Sequence, residues 1–133
     1  MKKIDSTHED ARRIVELWLI AKDFTIATKN KVQFPPEFIQ KHRLGTASRP
    51  NTDHSFDIVT ADNIYIEIDD YGKHSKKSQK INDGIINDYA ETYLFSKGCA
   101  FYRLQKEEIV NKRGKLQDPK DVANYLRKTC FEL

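Results

Sequence analysis

The stretch SFDIVTADNIYIEID, residues 55–69, carries the alternation from which the rest of the chain can be read. Ile64, Ile66 and Ile68 alternate with Tyr65, Glu67 and Asp69, the period of two of a strand with one face in a core. ADN, residues 61–63, has the length and composition of a hairpin loop. A three-residue loop pairs Thr60 with Ile64, Val59 with Tyr65 and Asp57 with Glu67. A two-residue loop would set Asp57 opposite Ile68 and turn an acid into the core, so the hydrophobic pattern selects the first register. That register sends Phe56, Ile58, Ile64, Ile66 and Ile68 to one side. It leaves Asp57 and Glu67 directly opposed, with Cβ atoms about 4.5–5.5 Å apart, and Asp69 two residues further along the same face.

Helices are expected around this hairpin. Ser6 followed by Glu9 forms a capping-box pattern, and Ile14, Leu17, Trp18 and Leu19 give the helix from Ser6 to about Lys22 an apolar face. Phe24 to Phe34 reads either as short strands, FTIAT and KVQF, or as an irregular link. Pro35-Pro36 opens a short helix, EFIQKHRL, that Gly45 ends, and 46–55 is a polar loop. Gln79 to Lys97 reads as a long helix using Ile81, Ile85, Tyr89, Thr92 and Tyr93, stopped by Gly98. CAFYRLQ is a strand, RGK a turn, and Asp118-Pro119 caps a last helix with Val122, Tyr125 and Leu126 on its apolar side. The order implies an α/β fold, a small mixed sheet flanked by helices, in one domain spanning 1–133.

The chain has 133 residues, 32% of them charged, with net charge +3 and a pI near 8.8. That mild basicity is compatible with a polyanionic partner. Cys99 and Cys130 form no CxxC and read as free thiols in a reducing compartment. MKKIDSTHED leads into a charged amphipathic stretch rather than the apolar core of a signal peptide, and no apolar run reaches membrane-spanning length. The expectation is a cytoplasmic protein with no membrane partner. His8, His42 and His54 have no zinc spacing.

Two or three carboxylates as close as Asp57, Glu67 and Asp69 repel one another unless water, a shared proton or a divalent cation intervenes. Hard oxygen ligands with open positions suit Mg²⁺ or Mn²⁺. The competing reading is a solvated sheet face that happens to be acidic. KHSKKSQK, residues 73–80, follows the acids with Lys73, Lys76, Lys77 and Lys80, which would offset phosphate charge, and with His74, a side chain suited to proton transfer near neutral pH. By itself the segment is a solvated charge run.

Taken together, FDIV (Asp57), IEIDDYGKH (Glu67, Asp69, His74) and YLFSKGCAFYRL, residues 93–104, resemble the very-short-patch-repair-like branch of the PD-(D/E)XK nuclease superfamily, which includes the EDxHD endonucleases. The resemblance covers Ser55 to Leu104, and more loosely the first helix. It implies a restriction-endonuclease-like αβββαβ core with an extra C-terminal helix, and Mg²⁺-dependent hydrolysis of phosphodiester bonds, in DNA ahead of RNA. It implies Asp57, Glu67 and Asp69 at the metal, and His74 assisting the attacking water. It also implies a helix-one acid, Glu9 in preference to Glu16, and a second-helix acid, Asp83 or Asp88. Arg103, at a strand end, would touch phosphate or pair with a carboxylate. Asp69 stands where the commoner pattern has lysine, and Asp70-Tyr71-Gly72 replaces a tighter turn. The third strand of the core has to come from 24–55. With no separate recognition domain, selectivity would come from loops, from that region, from a homodimer or from a larger complex. Bacteria, phages and mobile elements are the hosts that the resemblance implies. An inactive nucleic-acid-binding module and a protein-interaction or inhibitor subunit are the alternatives.

Overall fold

Residues 6–70 and 77–131 are described by the computed structural model of the protein, with side chains over 7–70 and 79–130. The hairpin forms in the expected register. β3 (Ile58–Val59) runs antiparallel to β4 (Ile64–Asp69), with Ile58 opposite Ile66 and Val59 opposite Tyr65. The Thr60 amide donates to the Ile64 carbonyl at 2.9 Å, and Asn63 takes a left-handed φ of 67°, as a three-residue loop requires. β5 (Ala100–Gln105) lies parallel to β4, from Ile64 opposite Ala100 to Asp69 opposite Gln105. Parallel neighbours need a crossover, and α3 (Lys77–Tyr89) supplies it. α3 continues through a π-helical turn, Ala90–Leu94, and a 3₁₀ turn, Phe95–Lys97, to Gly98 at φ 77°.

Helices cover both faces of the sheet. α1 (Ser6–Ala21) and α4 (Pro119–Phe131) pack Ala11, Val15, Leu19, Val122 and Leu126 against Ile58, Ile64, Ile66, Ile68 and Leu104. On the opposite face, Ile85, Ile86 and Tyr89 of α3 join Val59, Tyr65 and Phe101, with Phe34, and Phe38 of α2 (Pro36–His42), completing the cluster. Each fully buried large side chain contributes about 1.5–3 kcal/mol. α4 is capped as expected, the Asp118 carboxylate accepting the Lys120 amide at 2.9 Å. At the RGK turn, Gly114 has φ 75°, and a Cβ there would lie 2.1 Å from Asp10 Oδ2, so this turn rests directly on α1.

Where 24–55 contributes strand structure, it does so in two pieces. β1 (Lys31–Gln33) pairs antiparallel with β2 (Asp53–Ser55) as a separate two-stranded sheet, Lys31 opposite Ser55. Upstream, Ile26 bridges Thr60, the Ala27 amide donates to the Val59 carbonyl and the Ala61 amide to the Thr25 carbonyl. The step from Ile26 to Lys31 equals the step from Thr60 back to Ser55, so one register runs through both pieces. Residues 25–33 and 53–61 therefore form a single interrupted ribbon. Between the pieces, the Phe56 amide donates to the Asn30 carbonyl and Asn30 Nδ2 donates to the Phe56 carbonyl.

Four sequence expectations are corrected. Phe56 packs with the α3 cluster rather than with Ile58 and Ile64, because regular pairing to β4 stops before Asp57. On α1 the buried stripe is Ala11, Val15 and Leu19, leaving Leu17 60% exposed. Ile81 and Thr92 on the long helix face solvent, and Ile86 takes the inward position. Finally, α2 ends at Arg43, itself left-handed at φ 53°, before Gly45 is reached.

α2 is pinned to α3 by Asp88, whose Oδ2 accepts from Lys41 Nζ at 2.9 Å and lies 2.6 Å from His42 Nε2. Hydrogen bonds from Lys41 and then His42 hold the Asp88 carboxyl below its ordinary 3.8. Its contribution to stability is therefore complete above that value and is lost as pH falls through the lowered pKa. Asp88→Asn should lower the denaturant midpoint at pH 7, and the gap from wild type should close below pH 3.8 when the two are compared in a pH series.

Candidate active site

At Asp57 the strand leading into the hairpin parts from β4. The Ile68 amide, which would otherwise donate to a strand carbonyl, donates to Asp57 Oδ2 at 2.7 Å. In return the Asp57 amide donates to Glu67 Oε1 at 3.2 Å. Each acid thus takes the place of a backbone carbonyl at the split, and each is latched across to the facing strand. The sequence places them together, and the structure does so through main-chain hydrogen bonds rather than by simple opposition on a regular ladder.

Two histidines flank the pair. His8 Nε2, on the first turns of α1, lies 3.2 Å from the Ile68 carbonyl and 3.3 Å from Asp57 Oδ1. The hydrogen bond to Asp57 raises the His8 pKa above 6.5, against the opposing effect of burial. His54, on β2, brings Nε2 to 3.2 Å from Glu67 Oε1. The two atoms are close without being aligned as a hydrogen bond, so this buried nitrogen has no hydrogen-bond partner among the described residues. His54 stands edge-on to Phe56, centroids 4.8 Å apart, which fixes the ring.

Asp69 has a different partner from the other two acids. It is only 5% exposed, and Arg103 Nη1 donates to its Oδ1 and Oδ2 at 2.9 and 3.2 Å. Arg103 also bonds Asn87 Oδ1 and the Asp83 carbonyl, and its Nη1 lies 3.7 Å from Asp83 Oδ1. The carboxylate partner expected as one of the two readings for Arg103 is thus Asp69. Of the two α3 acids, Asp83 faces this side and Asp88 faces α2. Both helix-one acids are engaged by Arg12, which bonds Glu9 and Glu16, and Arg12 lowers the Glu9 pKa. Glu9 Oε1 lies 4.0 Å from His8 Nδ1. The N-terminus of α1 is tied to the end of β4 by Lys106, whose Nζ donates to Thr7 Oγ1 and to Asp70 Oδ2.

Lys80 is exposed on the first turns of α3. Lys73, His74 and Lys76 lie outside the described residues, and of Lys77 only the backbone is described. His8, His54 and Lys106 were not singled out from the sequence as site residues. Their contacts span long stretches of chain, 60 residues between His8 and Ile68, and local spacing carries no signal of them.

Among the described residues, no group of three or more His, Cys, Asp or Glu side chains is placed to hold a metal ion. Mg²⁺ is commonly held by one or two carboxylates while it keeps several waters. Asp57 and Glu67 fit that narrower requirement. Each commits one oxygen to a backbone amide, and Glu67 Oε2 has no hydrogen-bond partner among the described residues. Asp69 is paired with Arg103.

No family model, no curated protein and no solved structure matches this chain.

With His8 raised, the stability of the His8–Asp57 contact is fully present below 6.5 and lost as pH rises through the folded-state value. In EDTA, Asp57→Asn should bring the His8 titration followed by NMR down toward 6.5. Asp57→Ala, which also strips the Ile68 amide of its acceptor, should cost about 1–3 kcal/mol more in stability than Asp57→Asn.

Proposed function

We propose that the protein is a metal-dependent endonuclease that hydrolyses phosphodiester bonds, in DNA ahead of RNA, on a restriction-endonuclease-like αβββαβ core. The observation that carries this reading is the latch at the strand split, where Asp57 is held by the Ile68 amide and Glu67 by the Asp57 amide, with His8 against Asp57. The run of α1, the ribbon strand 25–33, the strand 53–60, β4, α3 and β5 supports it, with α2 as an insert and α4 as the added helix.

Asp57 and Glu67 would hold Mg²⁺ or Mn²⁺, which when bound supplies Lewis-acid polarisation of the scissile phosphate and a water of lowered pKa. The chain's own residues do the remainder. Backbone amides orient one oxygen of each carboxylate. His8 donates from Nε2 between the Ile68 carbonyl and Asp57 Oδ1, which sets the orientation of Asp57. Arg103 neutralises Asp69 and keeps that buried charge from adding to the repulsion between the other two acids. His74 would take the proton of the attacking water as its oxygen bonds to phosphorus. The bond from phosphorus to the leaving sugar oxygen breaks, and that oxygen is protonated from solvent. Lys80, with Lys73, Lys76 and Lys77, would face the phosphate backbone.

One observation favours a second reading, an inactive nuclease-fold module that binds nucleic acid or a protein. It is the pairing of Asp69 with Arg103, which leaves Asp57 and Glu67, among the described residues, as the carboxylates for a cation. The test is incubation of labelled duplex, single-stranded, mismatched and branched DNA, and RNA, with Mg²⁺, Mn²⁺ or EDTA. Metal-dependent products should appear, and Asp57→Asn and Glu67→Gln should each lose more than the roughly 10–100-fold typical of outer partners of a metal site. Cleavage at the wild-type rate in both variants would sink the assignment. Binding that persists in EDTA, with no products under any condition, would select the second reading.

A further inference from the structure

The insert between β1 and β2 carries more than a connection. Between it and α3 lies a cavity of about 460 Å³, within the range of small-ligand sites. Phe34, Leu44, Ile85 and Ile86, packed together in the α3-side core, form its apolar floor, and Pro50 and the Asp53 carboxylate share the lining. Asn51 and Asn82 stand at its exposed rim, each carrying an amide donor and an amide acceptor. His54 lines the same cavity while its Nε2 meets Glu67, so the cavity opens beside the candidate active site.

A second concavity, about 480 Å³, adjoins it and shares Ser48 and Arg49. Lys41, Arg43 and Thr46 complete its lining. Arg49 is fixed where the two meet, its Nη1 donating to the His42 carbonyl at 2.7 Å. A slot with an apolar floor and polar sides, amides at its rim, therefore adjoins a basic bay that also offers hydroxyls. The apolar floor suits one face of a nucleobase, rim amides suit its edge, and the bay suits phosphate.

We infer that these cavities take up one unstacked nucleotide of the substrate strand, base in the slot and phosphate in the bay, so that the substrate class is single-stranded or frayed nucleic acid. A base inside a duplex is stacked on its neighbours and has to leave the stack to enter such a slot. The inference rests on the hydrolase reading for the identity of the substrate, but it is tested by binding alone.

The probes are a fluorescein-labelled single-stranded oligothymidylate, the blunt duplex of the same length and an abasic strand of the same length, in EDTA. Anisotropy should show the single strand binding about tenfold or more tighter than the duplex. Asn82→Trp, at an exposed rim position, should fill the slot and cost about tenfold, making thymidylate bind as weakly as the abasic strand binds wild type. Arg49→Ala and Arg43→Ala should weaken all single strands alike. Ile81→Trp, exposed in the same lining, serves if Asn82→Trp does not fold by circular dichroism. Equal affinity for duplex and single strand, or undiminished thymidylate binding by a folded slot-filling variant, would overturn the inference. Slot-dependent binding without cleavage of any substrate would remove the hydrolase reading and leave the slot standing.

Discussion

The arrangement turns on a single substitution of partners, in which the Asp57 carboxylate takes the Ile68 amide in place of a strand carbonyl. Buried amides have to be paired, and the pairing here is done by a side chain. Because Asp57 supplies the acceptor, the Phe56 carbonyl is released to Asn30, and the strand can lean from β4 toward the ribbon formed with 25–33. Phe56 then joins the core on the α3 side and His54 is carried up to Glu67. The same few atoms thus connect the two sheets, fix two acids and open the space in which the candidate site lies.

Much of this was legible where the signal is local. The hairpin register follows from a period of two and a loop that tolerates a left-handed Asn63. The long helix and its stop follow from apolar spacing and Gly98. Legibility fails where tertiary partners decide. Phe56 continues the alternation of Ile58 in sequence but not in space, because the split at Asp57 interrupts it. On α1 apolar spacing picks out Ile14, Trp18 and Leu19 correctly, but it also picks Leu17, which stays outside, and passes over Ala11, small and weakly hydrophobic yet fully buried. The strand contributed by 25–33 is polar and broken, and only its pairing partners reveal it.

In the candidate site, Asp57 and Glu67 could be placed together from sequence because opposition on a hairpin is a local property. Asp69 could not be assigned the same way. Its face was predictable, but the competition between a cation and Arg103 depends on a strand more than thirty residues away. His8 and His54 share this limitation, since neither the α1 docking nor the ribbon register is written in their neighbours.

The unbroken register of the ribbon has a consequence for how such a chain can diversify. The insert of residues 34–52 leaves and re-enters the ribbon at one end, and the acids sit further along it. Lengthening a loop costs little free energy, about 0.6 kcal/mol for each doubling. Residues can therefore be gained or lost in the insert without shifting the pairing that aligns Asp57 with Glu67. On the proposed hydrolase reading, specificity can drift there while the geometry of the acids is inherited unchanged, an evolutionary separation of what is recognised from what is done to it.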